Sequence, residues 1–139
     1  MSTTTLNIPT QSATSTGSNG VRTIKNYIGG KWTEAMTSNI LPVMNPSIGK
    51  QIASVPLSTV QDVDDAVRAA HLALLAWSSV PIKERVQVFF RYKTLMEEHA
   101  QELAALVNEE NGKVMSEAMA EVEKSIEVTE FACSMPQLI

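Results

Sequence analysis

The sequence predicts short β-strands, a hairpin among them, followed by three α-helices. Three observations carry this. Strand formers flank the Gly29–Gly30 pair, which is a tight-hairpin signal. Residues 45–49 (NPSIG) place Asn before Pro and close on Gly, which reverses the chain between two extended runs. From residue 58 onward apolar residues recur at steps of three and four, the period of an amphipathic helix.

Residues 1–20 are rich in Ser and Thr, with few large apolar side chains. Such a segment buries too little surface to offset its ordering entropy, so a disordered tail is expected. It lacks acidic residues, as transit peptides do, but its first arginine is Arg22 and no basic amphipathic helix precedes it. No apolar core follows a basic start, so no secretory signal is expected. The ordered part is expected over 21–139.

Ile24, Tyr27, Ile28 and Trp32 are the strand formers around the two glycines. A phosphate-holding glycine loop needs more of its motif than this pair, so a tight turn is the better reading. The run from Ile40 to Met44 contains Pro42, which suits an edge strand because proline cannot donate to a ladder. Ile52 marks a further small-residue strand after the NPSIG turn.

Ser58 and Gln61 have capping-box spacing, and Asp62, Asp64 and Asp65 follow where a helix start favours acids. Val63, Ala66, Val67, Ala70, Leu74 and Trp77 then form a stripe, expected to pack beside the next helix. That helix runs from Pro81, which suits a first turn, to Gly112, which suits the position past the end. Val86, Phe89, Phe90, Leu95, Met96, Leu103 and Val107 give it one broad apolar face. About 30 residues make a rod of roughly 45 Å, and its apolar side needs cover. A third helix is expected near Ser116, with Met115, Met119, Val122, Ile126, Thr129 and Cys133 on its stripe and Pro136 ending it. Lys124 is expected to be solvated rather than networked with Glu123 and Glu127. Leu138 and Ile139 follow; an apolar pair just after a helix stop reads as the start of another buried element, in a chain cut short.

Net charge is −4, which gives no electrostatic footprint for nucleic acid or an acidic membrane. No apolar run is long enough to span a bilayer. One cysteine and two histidines cannot build a structural zinc site of the usual kind. The single cysteine excludes an internal disulfide and fits a reducing compartment.

Cys133 lies near the end of the third helix on its apolar stripe, where the neutral thiol is favoured. His71 and His99 have no sequence neighbour that suggests a relay. Glu109 and Glu110 are adjacent, so on a helix they point about 100° apart. These residues carry no catalytic constellation, and packing or solvated roles are expected for all of them.

Five blocks in order resemble the amino-terminal part of the aldehyde dehydrogenase superfamily: YIGGKW (27–32), NPSIGK (45–50), VQDVDDAVRAA (60–70), AW (76–77) and NEENGK (108–113). The resemblance runs from about residue 21 to 139. It implies an α/β fold, part of a Rossmann-like NAD-binding domain. Residues 89–99 and 125–139 are similar to the CoA-acylating methylmalonate-semialdehyde dehydrogenases. For a whole enzyme of that kind, the resemblance implies oxidation of malonate or methylmalonate semialdehyde, in valine or inositol breakdown. A cysteine thiolate attacks the aldehyde, hydride passes to NAD, and the acyl group moves to CoA with loss of CO2.

By the same resemblance the nucleophile, general base, oxyanion-hole residue and nucleotide-binding strands lie later in the fold. Cys133 is not the nucleophile, and no catalytic or cofactor residue is expected within this chain. An alkali cation is expected at Val43, Met44 and Glu121, where backbone carbonyls and a carboxylate supply oxygens. The implied partners are the remainder of the dehydrogenase fold and, for the whole enzyme, further copies of itself; nucleic acid and membrane are not among them. The implied location is the cytoplasm, with the mitochondrial matrix as the alternative. Two other readings stay open: a dehydrogenase that hydrolyses its thioester, and a non-enzymatic helical interaction module.

Overall fold

The structure is a computed structural model that describes residues 13–16 and 20–138. It divides into two compact units, one within Met1–Val43 and Gln51–His71, the other within Met44–Lys50 and Leu72–Ile139.

The first unit holds the β-structure. A four-stranded sheet contains β1 (Thr14–Thr16), β2 (Arg22–Ile24), β5 (Ile40–Asn45) and β6 (Lys50–Pro56), in the order β1-β2-β6-β5. β1 and β2 are antiparallel, with Thr14 opposite Ile24. β2 and β6 are parallel, with Arg22 opposite Ala53. β5 takes an edge, as Pro42 requires. Thr14–Thr16 is a strand inside the stretch expected to be a disordered tail. Residues 1–12 and 17–19, the rest of that stretch apart from Ala13 and Gly20, lie outside the described residues.

β3 (Asn26–Ile28) and β4 (Lys31–Thr33) form the expected hairpin. Gly29 and Gly30 have φ of +59° and +80°. Two successive positive angles are what a turn matched to right-handed strand twist needs. Tyr27 and Trp32 face each other across it, with ring centroids 4.8 Å apart and tilted by 56°.

Helix α1 (Val60–Trp77) starts at a reciprocal box one residue later than the spacing of Ser58 and Gln61 suggests. The Thr59 backbone N–H donates to Asp62 Oδ2 at 2.7 Å, and the Asp62 N–H donates to Thr59 Oγ1 at 3.3 Å. Ser58 instead exchanges hydrogen bonds with the Asn26 side-chain amide. Val63 and Val67 of the α1 stripe are 54% and 62% exposed.

In the second unit, the predicted helix from Pro81 to Gly112 is present but interrupted. It consists of α2 (Ile82–Arg85), α3 (Gln87–Glu98) and α4 (Ala100–Asn111). Val86 keeps helical angles, whereas His99 departs, with φ −106° and ψ 16°. Both α3 and α4 pack against α5 (Met115–Cys133). The 19 residues of α5 reach roughly 28 Å and cannot cover a straight rod of about 45 Å. The core of this unit is Ala104, Ala118 and Val122, flanked by Leu103, Val107, Met119 and Ile126. Two alanines at the contact let α4 and α5 approach closely.

Gly112 ends α4 at φ +79°, and its N–H donates to Asn108 O at 2.9 Å. A Cβ there would meet Pro46 Cγ at 2.8 Å. Thus the NPSIG and NEENGK turns, distant in sequence, touch. Pro136 ends the helical run as expected, in a short 3-10 turn at Met135–Gln137.

Candidate functional site

The residues weighed as reactive do not assemble. Cys133 is the last residue of α5 and is buried. Lys93 is held by Glu97 at 2.6 Å and lies 3.8 Å from Glu130. The Glu97 hydrogen bond is the main reason the Lys93 ammonium titrates above its usual range. Among the described residues no hydrogen bond joins the thiol to a base, so it lacks the setting of an activated nucleophile. His71 is exposed and has no hydrogen-bond partner among the described residues. His99 Nδ1 lies 3.2 Å from Glu102 Oε2 on an exposed face. Glu109 is half-buried and Glu110 exposed, and no hydrogen bond joins them.

The residues expected to hold an alkali cation lie on β5 and α5. Val43 is half-buried and Met44 exposed, both on β5. Glu121 lies on α5, and its carboxylate is ion-paired with Lys113. Among the described residues no cluster of three or more His, Cys, Asp or Glu is placed to hold a metal. Lys124, expected to be solvated, contacts Glu127 Oε2 at 2.5 Å.

Two features escaped the sequence reading. The first is the Asp62 carboxylate, which is buried at 6% exposure. It accepts from the Thr59 N–H, from Thr59 Oγ1 at 2.8 Å and from the Met36 N–H at 3.3 Å. The Thr59 backbone and hydroxyl donors hold its titration below the usual carboxylate range, against the effect of burial. The T-x-x-D spacing at residues 59–62 was the available signal. The second is a groove of about 420 Å³ beside α2, α3 and α5, walled by Trp77, Phe89, Val128, Phe131 and Met135, with Arg85 at its side. Alternation of charge and apolar residues in the sequence gives no sign of it.

The aldehyde dehydrogenase family model matches residues 32–139. The chain belongs to the aldehyde dehydrogenase family. It is 49% identical over 119 residues to a malonate-semialdehyde dehydrogenase of Bacillus pumilus, covering 86% of this chain and 24% of that protein. It is 46% identical over 120 residues to malonate-semialdehyde dehydrogenase 1 of Geobacillus thermodenitrificans, covering 86% of this chain and 25% of that protein. Among solved structures, a methylmalonate-semialdehyde dehydrogenase of Oceanimonas doudoroffii aligns with a TM-score of 0.79 and 35% identity, over 84% of this chain and 24% of its own. The chain therefore spans about a quarter of the length of these relatives, and the mixed α/β fold matches theirs.

Proposed function

We propose that this chain acts as the amino-terminal portion of an NAD-dependent, CoA-acylating dehydrogenase of malonate or methylmalonate semialdehyde. The observation that carries the reading is its 44–49% identity to several malonate-semialdehyde dehydrogenases. In the overall reaction a semialdehyde carboxylate, CoA and NAD+ give an acyl-CoA, CO2 and NADH. NAD supplies the hydride acceptor when bound, and CoA receives the acyl group. The chain's own share is architectural. Its sheet, hairpin and α3–α5 cluster present apolar faces to the remainder of the fold, and such faces imply a covering partner. Val60, Val67 and Leu75, exposed at 79%, 62% and 65%, are among the residues that would be covered.

Repeated copies of the whole enzyme, a cytoplasmic location and a role in valine or inositol breakdown belong to the same proposal. So does an alkali cation on the Val43 and Met44 carbonyls with Glu121. Lys113 already engages that carboxylate, so a cation there would have to share it.

The test joins residues 21–139 of this chain to the complementary three-quarters of the Bacillus pumilus enzyme, in place of its own matching segment. The chimera is expected to form NADH from malonate semialdehyde in a CoA-dependent manner, while the 139-residue chain alone forms none. A folded but inactive chimera, or turnover by the pure chain, would overturn the proposal.

A further inference from the structure

Arg85 Nε is a buried polar atom without a hydrogen-bond partner. Lys93, Lys113 and Lys124 of the same unit each hold a glutamate. Arg85 holds no acid among the described residues, although it stands beside the wall formed by Trp77, Phe89, Phe131 and Met135. That wall is open to solvent, with Val128 62% and Phe131 64% exposed. A guanidinium stays charged at all ordinary pH, and its planar fork matches a carboxylate. An apolar trough with one unpaired arginine is therefore complementary to an apolar surface bearing one negative charge.

We propose that this groove docks an apolar polypeptide segment carrying one Asp or Glu, with Arg85 as its counter-ion, and that the segment comes from the remainder of the dehydrogenase fold. Its source rests on the functional reading above; the chemistry of the groove does not. Three-quarters of the length of the named relatives lies outside the span this chain matches, which is ample to supply such a segment.

The experiment uses the full 139-residue chain in a Trp32→Phe background. Trp77 is then the sole tryptophan, since the chain has two, and it lines the groove. Two capped leucine- and alanine-rich heptapeptides, identical except for Glu or Gln at the centre, are titrated and Trp77 fluorescence is read. The Glu peptide is expected to bind about 10-fold more tightly, the scale of one charge-assisted hydrogen bond. Arg85→Met should equalise the two peptides, and Phe131→Ser should weaken both, with helical circular dichroism preserved in each variant. Equal binding by the Trp32→Phe chain, a preference that survives Arg85→Met, or no binding of either peptide overturns the proposal. So does a stable dimer that neither peptide dissociates, which would make a second copy the occupant. A Glu preference combined with an inactive chimera keeps the groove's chemistry and removes its assignment to the dehydrogenase. Equal binding with an active chimera removes the groove alone.

Discussion

Replacing Gly112 by alanine tests whether two sequence-distant turns hold the second unit together. Gly112 has φ +79°, and an L-residue in the left-handed region costs about 1–2 kcal/mol. The new methyl group also lies 2.8 Å from Pro46 Cγ and 3.4 Å from Ser47 Oγ. The proline ring is rigid, so it must shift, and overpacking of this kind adds about 1–3 kcal/mol. The total expected for Gly112→Ala is about 2–5 kcal/mol. Gly49 is the control within the same unit, since its φ is +63° and nothing lies within 4 Å of an added Cβ. Gly49→Ala should therefore show only the backbone penalty of about 1–2 kcal/mol. Pro46→Ala introduced into the Gly112→Ala chain should recover part of the loss, giving a positive coupling in a double-mutant cycle. Urea unfolding followed by helical circular dichroism reads the parent, Gly49→Ala, Gly112→Ala, Pro46→Ala and double-variant chains. If Gly112→Ala and Gly49→Ala agree within about 0.5 kcal/mol, and the cycle shows no coupling, the two turns do not bear on one another as argued.

Ala104 is fully buried between α4 and α5, against Ala118 and Val122. Ala104→Leu should destabilise the helical unit by about 1–3 kcal/mol through overpacking, whereas Ala105→Leu on the exposed side should be close to neutral in the same urea experiment. Asp62 gives a pH prediction. Its folded carboxyl titrates below the reference value of 3.8, so it contributes stability above that pH, and the contribution is lost as pH falls through the lower folded value. Asp62→Asn should flatten the acid limb of stability against pH, as read by thermal melts at closely spaced pH values; an unchanged limb would mean that the Thr59 and Met36 donors do not stabilise the charged form.

Much of the fold was legible because single residues dictate local geometry. Gly29–Gly30 marked the hairpin, Pro42 the edge strand, Gly112 the helix end and Pro136 the final stop, each through backbone constraints that need no tertiary context. The α5 stripe was equally readable, and Val122, Thr129 and Cys133 from it are buried. What failed depended on partners distant in sequence. The interruption at His99 is a departure in its backbone angles, which apolar periodicity along the helix does not mark. The helix start moved to Thr59 because Ser58 is engaged by Asn26, 32 residues away. The parallel pairing of β2 with β6 joins segments separated by three other strands and has no local mark. Lys124 and Glu127 pair on the surface with side chains 74% and 64% exposed, consistent with the solvation expected there, whereas the pairing of Lys113 with Glu121 joins residues eight apart and has no local mark. As for the site, Cys133 is buried at the end of α5, on the apolar stripe where the sequence placed it. Arg85 was unreadable, because an unpaired arginine is recognised only once its surroundings are assembled.

The most direct measurement of the functional account is product analysis on the natural polypeptide that carries this segment, purified from its source. It is incubated with malonate semialdehyde and NAD+, with and without CoA, while NADH and thioester are quantified together. The account predicts NADH formation matched by acetyl-CoA and CO2 and strongly dependent on CoA. NADH accompanied by a free acid, with CoA left untouched, would contradict the acylating assignment, and no NADH under either condition would contradict the dehydrogenase reading itself.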